Sequence, residues 1–463
     1  MGPPSQPGSE ARSVSDPAFM NVDVAIAGAG LGGLALALGL KERGITAHVF
    51  EAAPAPRTDG GTVIGFFPNG QTALNGVSPG LTDRIKARGN RCPSLTSIRL
   101  CDGVLEEELK RDNQSGIAMV PWKDFQEILA SSIPPEQIHC NHRLQKFTPV
   151  EGGVEAVFDI IGDSDARENY SASSNAYGGA AIGQLTVRTK LLVGADGIRS
   201  NVRKAMGGKP PQYLGDLHWN LLVHDPDETM VPIKDESHMR FADEKAGIVG
   251  FLSDAGHKWR FLSVRKADPD GKIVAGYGPE FGGLGKPGVK ERAIGALPGS
   301  DNWYDVVRET LRNVAESDIF ERRIMDNVAL DTWVAADGHV VLIGDAAHAM
   351  HPIVGQGAMQ TFEDAHQLAE LLKKEAGPDF STDGVATAVH RFEKVKKRRA
   401  ELVQAFSREA SSLPKEVTVP AEYQDLSGPE KLQRFSQLNT WMQRYPDVLG
   451  GDPDSVYWKP LES

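Results

Sequence analysis

The chain has 463 residues, enough for two or three domains' worth of core, and its 40% hydrophobic and 24% charged residues suit a globular protein. A formal net charge of −12 disfavours nucleic acid as a partner, because phosphate binding rests on clustered Lys and Arg. No apolar run reaches the roughly 18–20 residues of a spanning helix, so no integral membrane segment is expected.

Residues 1–20 mix Pro, Gly and Ser, lack an apolar stretch, and predict a disordered leader rather than a signal peptide. Val22 to Ala27 then reads as a buried parallel strand, followed by Gly28-x-Gly30-x-x-Gly33 and an apolar helix from Leu34 to Leu40. A second strand, Ile45 to Phe50, ends in Glu51, 18 residues beyond Gly33. In this context Gly28 allows the tight turn, Gly30 admits a pyrophosphate, and Gly33 lets helix and strand approach. The helix N-terminus offers free N–H groups to phosphate, and Glu51 can accept hydrogen bonds from ribose hydroxyls. The pattern indicates a dinucleotide without choosing between NAD and FAD.

Further along, Leu95 to Leu100 and Trp259 to Arg265 alternate like strands with one solvated face. Residues 162–183, rich in Ser, Asn, Gly and Ala, predict a long hairpin insertion between two strands. A strand, Lys190 to Val193, enters the turn Gly194-Ala195-Asp196-Gly197. Another, Val340 to Ile343, enters Gly344-Asp345-Ala346-Ala347-His348, and the chain continues through Pro352, Gly355, Gly357 and Ala358 to a helix beginning near Thr361. Asp345 at a strand end can hold polyol hydroxyls, and the two glycines let backbone approach a planar ring. The basic run Lys394 to Arg399 sits inside a helical pattern and reads as a solvated face. The segment after Ser411 is polar, with Trp441 and Trp458 as candidate docking anchors.

Three motifs in this order resemble the PHBH-like (group A) flavoprotein monooxygenases, from about Val22 to Ala410. The resemblance implies an α/β fold in which a discontinuous Rossmann-like FAD domain (21–89, 119–204 and 326–410) is interleaved with an antiparallel β-sheet substrate domain (90–118 and 205–325). C-terminal helices and a tail over 411–463 complete it. It implies FAD as cofactor, NAD(P)H as a transient electron donor and O2 as co-substrate. One oxygen atom would enter an aromatic or polyene small molecule, by hydroxylation or epoxidation. By the same resemblance, Gly28, Gly30, Gly33, Glu51, Arg57, Asp196, Asp345, Pro352, Gly355, Gly357 and Ala358 are expected to bind cofactor. The family's usual arginine before the helix at 122–129 is replaced by Trp122, with Lys123 beside it. Gly276 to Gly282 has the wrong spacing for a second dinucleotide fold, which agrees with a donor that docks transiently.

No residue announces itself as a catalytic base; Tyr277, His224 and His238 read as packed or surface residues. His348 and His351 lack a carboxylate or cysteine at ligand spacing, so no metal site is expected. Cys92, Cys101 and Cys140 form no C-x-x-C pair and indicate reduced thiols in a cytoplasmic protein. Two alternatives remain: a flavin-dependent halogenase, whose Trp-x-Trp-x-Ile-Pro signature is not found, and a non-oxygenating FAD protein on the same scaffold.

Overall fold

The computed structural model describes residues 18–56, 62–90, 94–101, 104–112, 116–162, 181–224, 238–242, 247–253, 259–273, 282–297, 299, 304–409 and 428–446. Arg57, Tyr277, Cys92, Trp458 and most of the expected hairpin insertion lie outside these residues.

The first sheet is built on strand Ala18–Ala27, which starts inside the expected leader because Ala18 to Met20 find partners in Leu185 to Val187. Its apolar end, Val24 to Ala27, is buried on both faces, as a parallel strand requires. Parallel neighbours are Ala47–Phe50 on one side and Ala181–Gly194 on the other. Beyond them lie Ile138–His139 and Val340–Leu342, also parallel. Ala181–Gly194 spends its far edge twice: its first half pairs antiparallel with Gly153–Ile161, its last three residues pair with Val340–Leu342. All three motif turns therefore leave the same end of one sheet.

Helix Leu31–Glu42 is buried from Leu31 to Leu40 and lies between this sheet and helix Gly357–Glu375. The latter begins at Gly357 rather than near Thr361, so the glycines expected in a loop form its first turn and the residues before it.

The second sheet runs in the order Gly282–Leu284, Ile319–Asp326, Gln212–His224, Trp259–Ala267, Gly247–Ser253, His238–Ala242, Ser94–Cys101 and Val104–Asp112. All its pairings are antiparallel except one: His238–Ala242 runs parallel to Ser94–Cys101. Those two strands come from separate excursions of the chain, with half of the first sheet's strands between them, so no hairpin turn imposes an antiparallel match. Leu217, Trp219, Leu221, Leu262 and Val264 pack one face against helices Val289–Gly295 and Asp305–Asn313. By alternation, Asp216, His218, Asn220 and Leu222 face the first sheet's side.

At the C-terminal side the basic run is only partly a solvated face: Lys394 and Arg398 are exposed, but two of its cations are buried. On helix Thr382–Glu409, Lys396 and Arg399 are three apart and share the inner side with Phe392, Ala400 and Val403; Lys396 and Arg399 are 0% and 1% exposed. Glu363, itself buried, accepts from Lys396 Nζ at 2.6 Å and from Arg399 Nε at 2.9 Å. Buried partners, invisible in the local pattern, overrode the local bias. Within the expected tail, residues Gly428–Gln443 form a helix whose Leu438 and Met442 pack on Met350, Val403 and Phe406. Trp441 lies under the Arg399 guanidinium, 4.6 Å from ring centroid to carbon.

Candidate functional site

One cavity of about 480 Å³ opens where the two sheets meet. Its walls include Gly30 and Leu31 of the first motif, Ala195 and Gly197 of the second, and Gly344, Asp345, Pro352, Gly355, Gly357 and Ala358 of the third. The opposite wall is strand Ile319–Asp326, through Phe320, Arg322, Arg323, Ile324 and Met325. Trp122 also lines it.

Two helix N-termini converge here. In Leu31–Glu42 the first helical bond runs from Leu34 N to Gly30 O (3.0 Å), so the preceding amides are left for a ligand, and no acidic residue sits in that turn. Helix Gly357–Glu375 likewise starts without an acidic residue in its first turn. The pair suits an elongated ligand with negative charge at two places.

The glycines divide by task. Gly28 has φ +106°, and a Cβ there would stand 2.4 Å from Ala195 O. A Cβ at Gly33 would fall 2.0 Å from Gly28 O. Both therefore hold the first and second turns, and strand and helix, in close approach, whereas a Cβ at Gly30 would meet only Ala195 O, at 4.0 Å, and Gly30 faces the cavity.

The acidic residues divide too. Glu51 accepts from Ala29 N at 2.7 Å and from Ala53 N at 2.9 Å, which fixes the glycine turn. Asp196 accepts from Asn201 N at 2.7 Å and Val202 N at 3.3 Å, so its carboxylate binds the start of helix Asn201–Ala205. Burial pushes Asp196 above the usual carboxylate range, opposed by those hydrogen bonds and one from Ser200. Its neighbours Ala195 and Gly197 line the cavity; Asp196 is not among the lining residues. Asp345 is: its side chain opens to the cavity, while the surrounding protein raises its carboxyl, with His348 and Arg322 pulling the other way.

The histidines have the carboxylate partners that sequence spacing did not show. His348 Nε2 meets Asp364 Oδ2 at 2.7 Å, and Asp364 also accepts from Gly344 N at 2.8 Å. His351 Nε2 meets Asp216 Oδ2 at 2.9 Å. Asp216, His218 and His351 bring their ligand atoms within 4.8 Å of one another, which is metal-like spacing. The surroundings argue otherwise. His351 Nδ1 accepts from Ile353 N (3.1 Å), so Nε2 carries the proton given to Asp216. Burial, then Arg322, His351 and Arg265, hold His218 well below its ordinary range. The cluster is a hydrogen-bonded seam between the third motif and the second sheet.

A family model described as FAD binding domain matches residues 21–398. Zeaxanthin epoxidase of an Oncidium hybrid cultivar is 27% identical over 87% of this chain and 57% of its own length. The chain thus spans little more than half of the plant relatives it matches. The 3-amino-4-hydroxybenzoate 2-monooxygenase of Streptomyces cremeus is 26% identical over 90% of this chain and 92% of that protein. Among solved structures, Klebsiella pneumoniae HpxO with FAD and uric acid superposes with TM-score 0.65 at 19% identity, covering 94% of this chain and 96% of that one. CtdE with FAD and substrate gives TM-score 0.67 at 17% identity, covering 90% and 100%. These likenesses show the same fold, a mixed α/β architecture of FAD-dependent enzymes. With the family model covering most of its length, the chain belongs to the FAD binding domain family.

Proposed function

We propose that this protein is an NAD(P)H-dependent FAD monooxygenase that places one oxygen atom from O2 into an aromatic or polyene small molecule. The observation that carries the reading is the convergence of all three motifs and the second sheet on one cavity.

The residues fit FAD. Unspent amides at two helix N-termini suit the pyrophosphate and the electron-rich ring, and Asp345 suits the ribityl hydroxyls. Gly28, Gly33, Glu51 and Asp196 preserve the shape of the cradle from behind, and Gly30, Pro352, Gly355, Gly357 and Ala358 form its surface. Bound FAD supplies electron transfer and O2 activation; the protein supplies position, field and dryness.

What supports the substrate class is an apolar wall. Next to the cavity, Ile117, Met119 and Phe261 form a small apolar cluster with Val63, Phe67 and Leu222. Such a wall suits an aromatic ring and keeps water away from a reactive oxygen donor. Asn220, two residues from Leu222 on the same side, is 2% exposed, and its Oδ1 meets no donor among the described residues. A ring carrying a hydroxyl or amino group would satisfy that acceptor. A second-sheet domain over 90–118 and 205–325, closing on a discontinuous cofactor domain, is the matching division of the chain.

No helix of the described residues is long and apolar enough to cross a membrane. A reducing cytoplasm suits Cys140, a free thiol pushed up by burial and by Glu51.

The test is NAD(P)H consumption by FAD-loaded protein with and without hydroxylated or aminated aromatic compounds. Stimulation by such a compound, with an oxygenated product, is the expected result. A flavin that neither NADH nor NADPH reduces, with any compound of the class, would return the protein to a non-oxygenating role.

A further inference from the structure

Three arginines, Arg199, Arg322 and Arg323, line the cavity. The neighbour of Arg322, Glu321, points into the helix layer, where it accepts from Trp219 Nε1 at 2.6 Å and pairs with Arg292 at 2.7 Å. Alternation along the strand turns Arg322 the other way, and it forms part of the cavity wall. Among the described residues its Nε has no hydrogen-bond acceptor, and no carboxylate lies within ion-pair distance. Arg323, next to it, is placed over the Tyr213 ring, 5.2 Å away.

The groups around Arg322 make its position costlier. His218 is its cross-strand partner on one side, and Arg265 pairs with His218 from the next strand. His351 reaches the same seam and is held neutral by burial, although Asp216 beside it pulls toward protonation. Asp345 acts on Arg322 from across the cavity without touching it. An enclosed guanidinium without a partner is strongly unfavourable unless something negative or electron-rich arrives. The carboxylate that faces it belongs to the third motif, and the cavity between them is lined by the residues read here as the flavin cradle.

We propose that Arg322 is the cation that faces the flavin ring system, reaching it from the substrate sheet and favouring the negatively charged, reduced state of the cofactor. The inference rests on the FAD monooxygenase reading but requires only FAD binding and reduction, so it can fail while that reading stands.

The experiment uses full-length, FAD-loaded protein and measures the two-electron midpoint potential of the bound flavin. Removing the cation should destabilise the reduced flavin about tenfold relative to the oxidised one, which lowers the midpoint by about 30 mV. Arg322→Gln should show that drop, and Arg322→Lys should recover most of it. An unchanged midpoint in a folded, FAD-retaining Arg322→Gln protein would overturn the proposal. So would an unchanged midpoint combined with a weakened response to substrate, which would assign Arg322 to an anionic substrate group instead. Should Arg322→Gln fail to fold, the wild-type protein still decides. Its reduced flavin should remain anionic at a pH where free reduced FAD is protonated, and protonation at the same pH as free FAD would overturn the proposal.

Discussion

Arg399 and Glu363 meet through two hydrogen bonds of 2.9 Å, Nε to Oε2 and Nη2 to Oε1, in a part of the core that water does not reach. Arg399 also donates to the carbonyls of Met442 and Arg444 at 3.0 Å, so a single guanidinium joins the helix behind the third motif to the C-terminal helix. Removing it leaves Glu363 with Lys396 as its only cation among the described residues. Arg399→Ala should cost about 3–5 kcal/mol, the usual penalty for breaking a buried pair. Arg399→Lys should recover little, because an ammonium cannot reproduce the fork. Denaturant unfolding measures both, and a loss under about 1 kcal/mol, the level of a surface pair, would contradict the reading.

The same cluster sets an acid limit. Burial alone would raise Glu363, but Arg399 and Lys396 override it and hold the carboxyl at about 2. Its value when unfolded is about 4.3, so the folded state holds the proton less tightly. The stabilisation is therefore complete above about pH 4.5 and fades as the pH falls toward about 2. Glu363→Gln, though less stable at neutral pH, should show a shallower decline across that window. Parallel declines in the two proteins would remove Glu363 from the account.

Gly33 is required by geometry rather than by cofactor contact. Gly33→Ala puts a methyl group against the Gly28 carbonyl, which is backbone and cannot swing aside. The change should cost at least the roughly 1–3 kcal/mol of an overpacked core and weaken FAD binding with it. Melting temperature and flavin fluorescence read the two effects. A variant of wild-type stability that binds FAD normally would mean that the strand and helix are less tightly joined than described.

Asp345 and Asp196 separate a cofactor residue from a shape-keeping one. Asp345→Ala should weaken FAD binding about tenfold, or about 1.4 kcal/mol, with little change in the stability of the FAD-free protein. Asp196→Ala should do the reverse, losing about 0.5–2 kcal/mol of helix-start stabilisation while FAD affinity stays close to wild type. Titration of FAD into both variants gives the comparison, and an exchange of the two outcomes would reverse the assignments.

The cradle was legible in the sequence because strand, glycine turn and helix are consecutive there. Gly30 and Gly357, read from local spacing, line the cavity, as does Ala358, which the family resemblance supplied. What spacing could not show was where a carboxylate points. Glu51 and Asp196 stand at strand ends as expected, yet both turn to nearby backbone amides, whose free donors are closer than the cavity. Lys396 and Arg399 were hidden for the opposite reason: their partner Glu363 is on another helix, and a basic run in a helical pattern looks like a surface. His351 and Asp216 are 135 residues apart, so their bond becomes visible only when the two sheets close together. Arg322 had no signal at all, since its distinction lies in what it does not touch.

The central claim, that this cavity transfers one oxygen atom from O2, is tested most directly by isotope. FAD-loaded protein, NAD(P)H and a hydroxylated or aminated aromatic substrate are combined under isotopically labelled O2 in ordinary water, and the product is weighed by mass spectrometry. The account predicts a product carrying one labelled oxygen atom for each NAD(P)H consumed in coupled turnover. Product oxygen that comes only from water would contradict it.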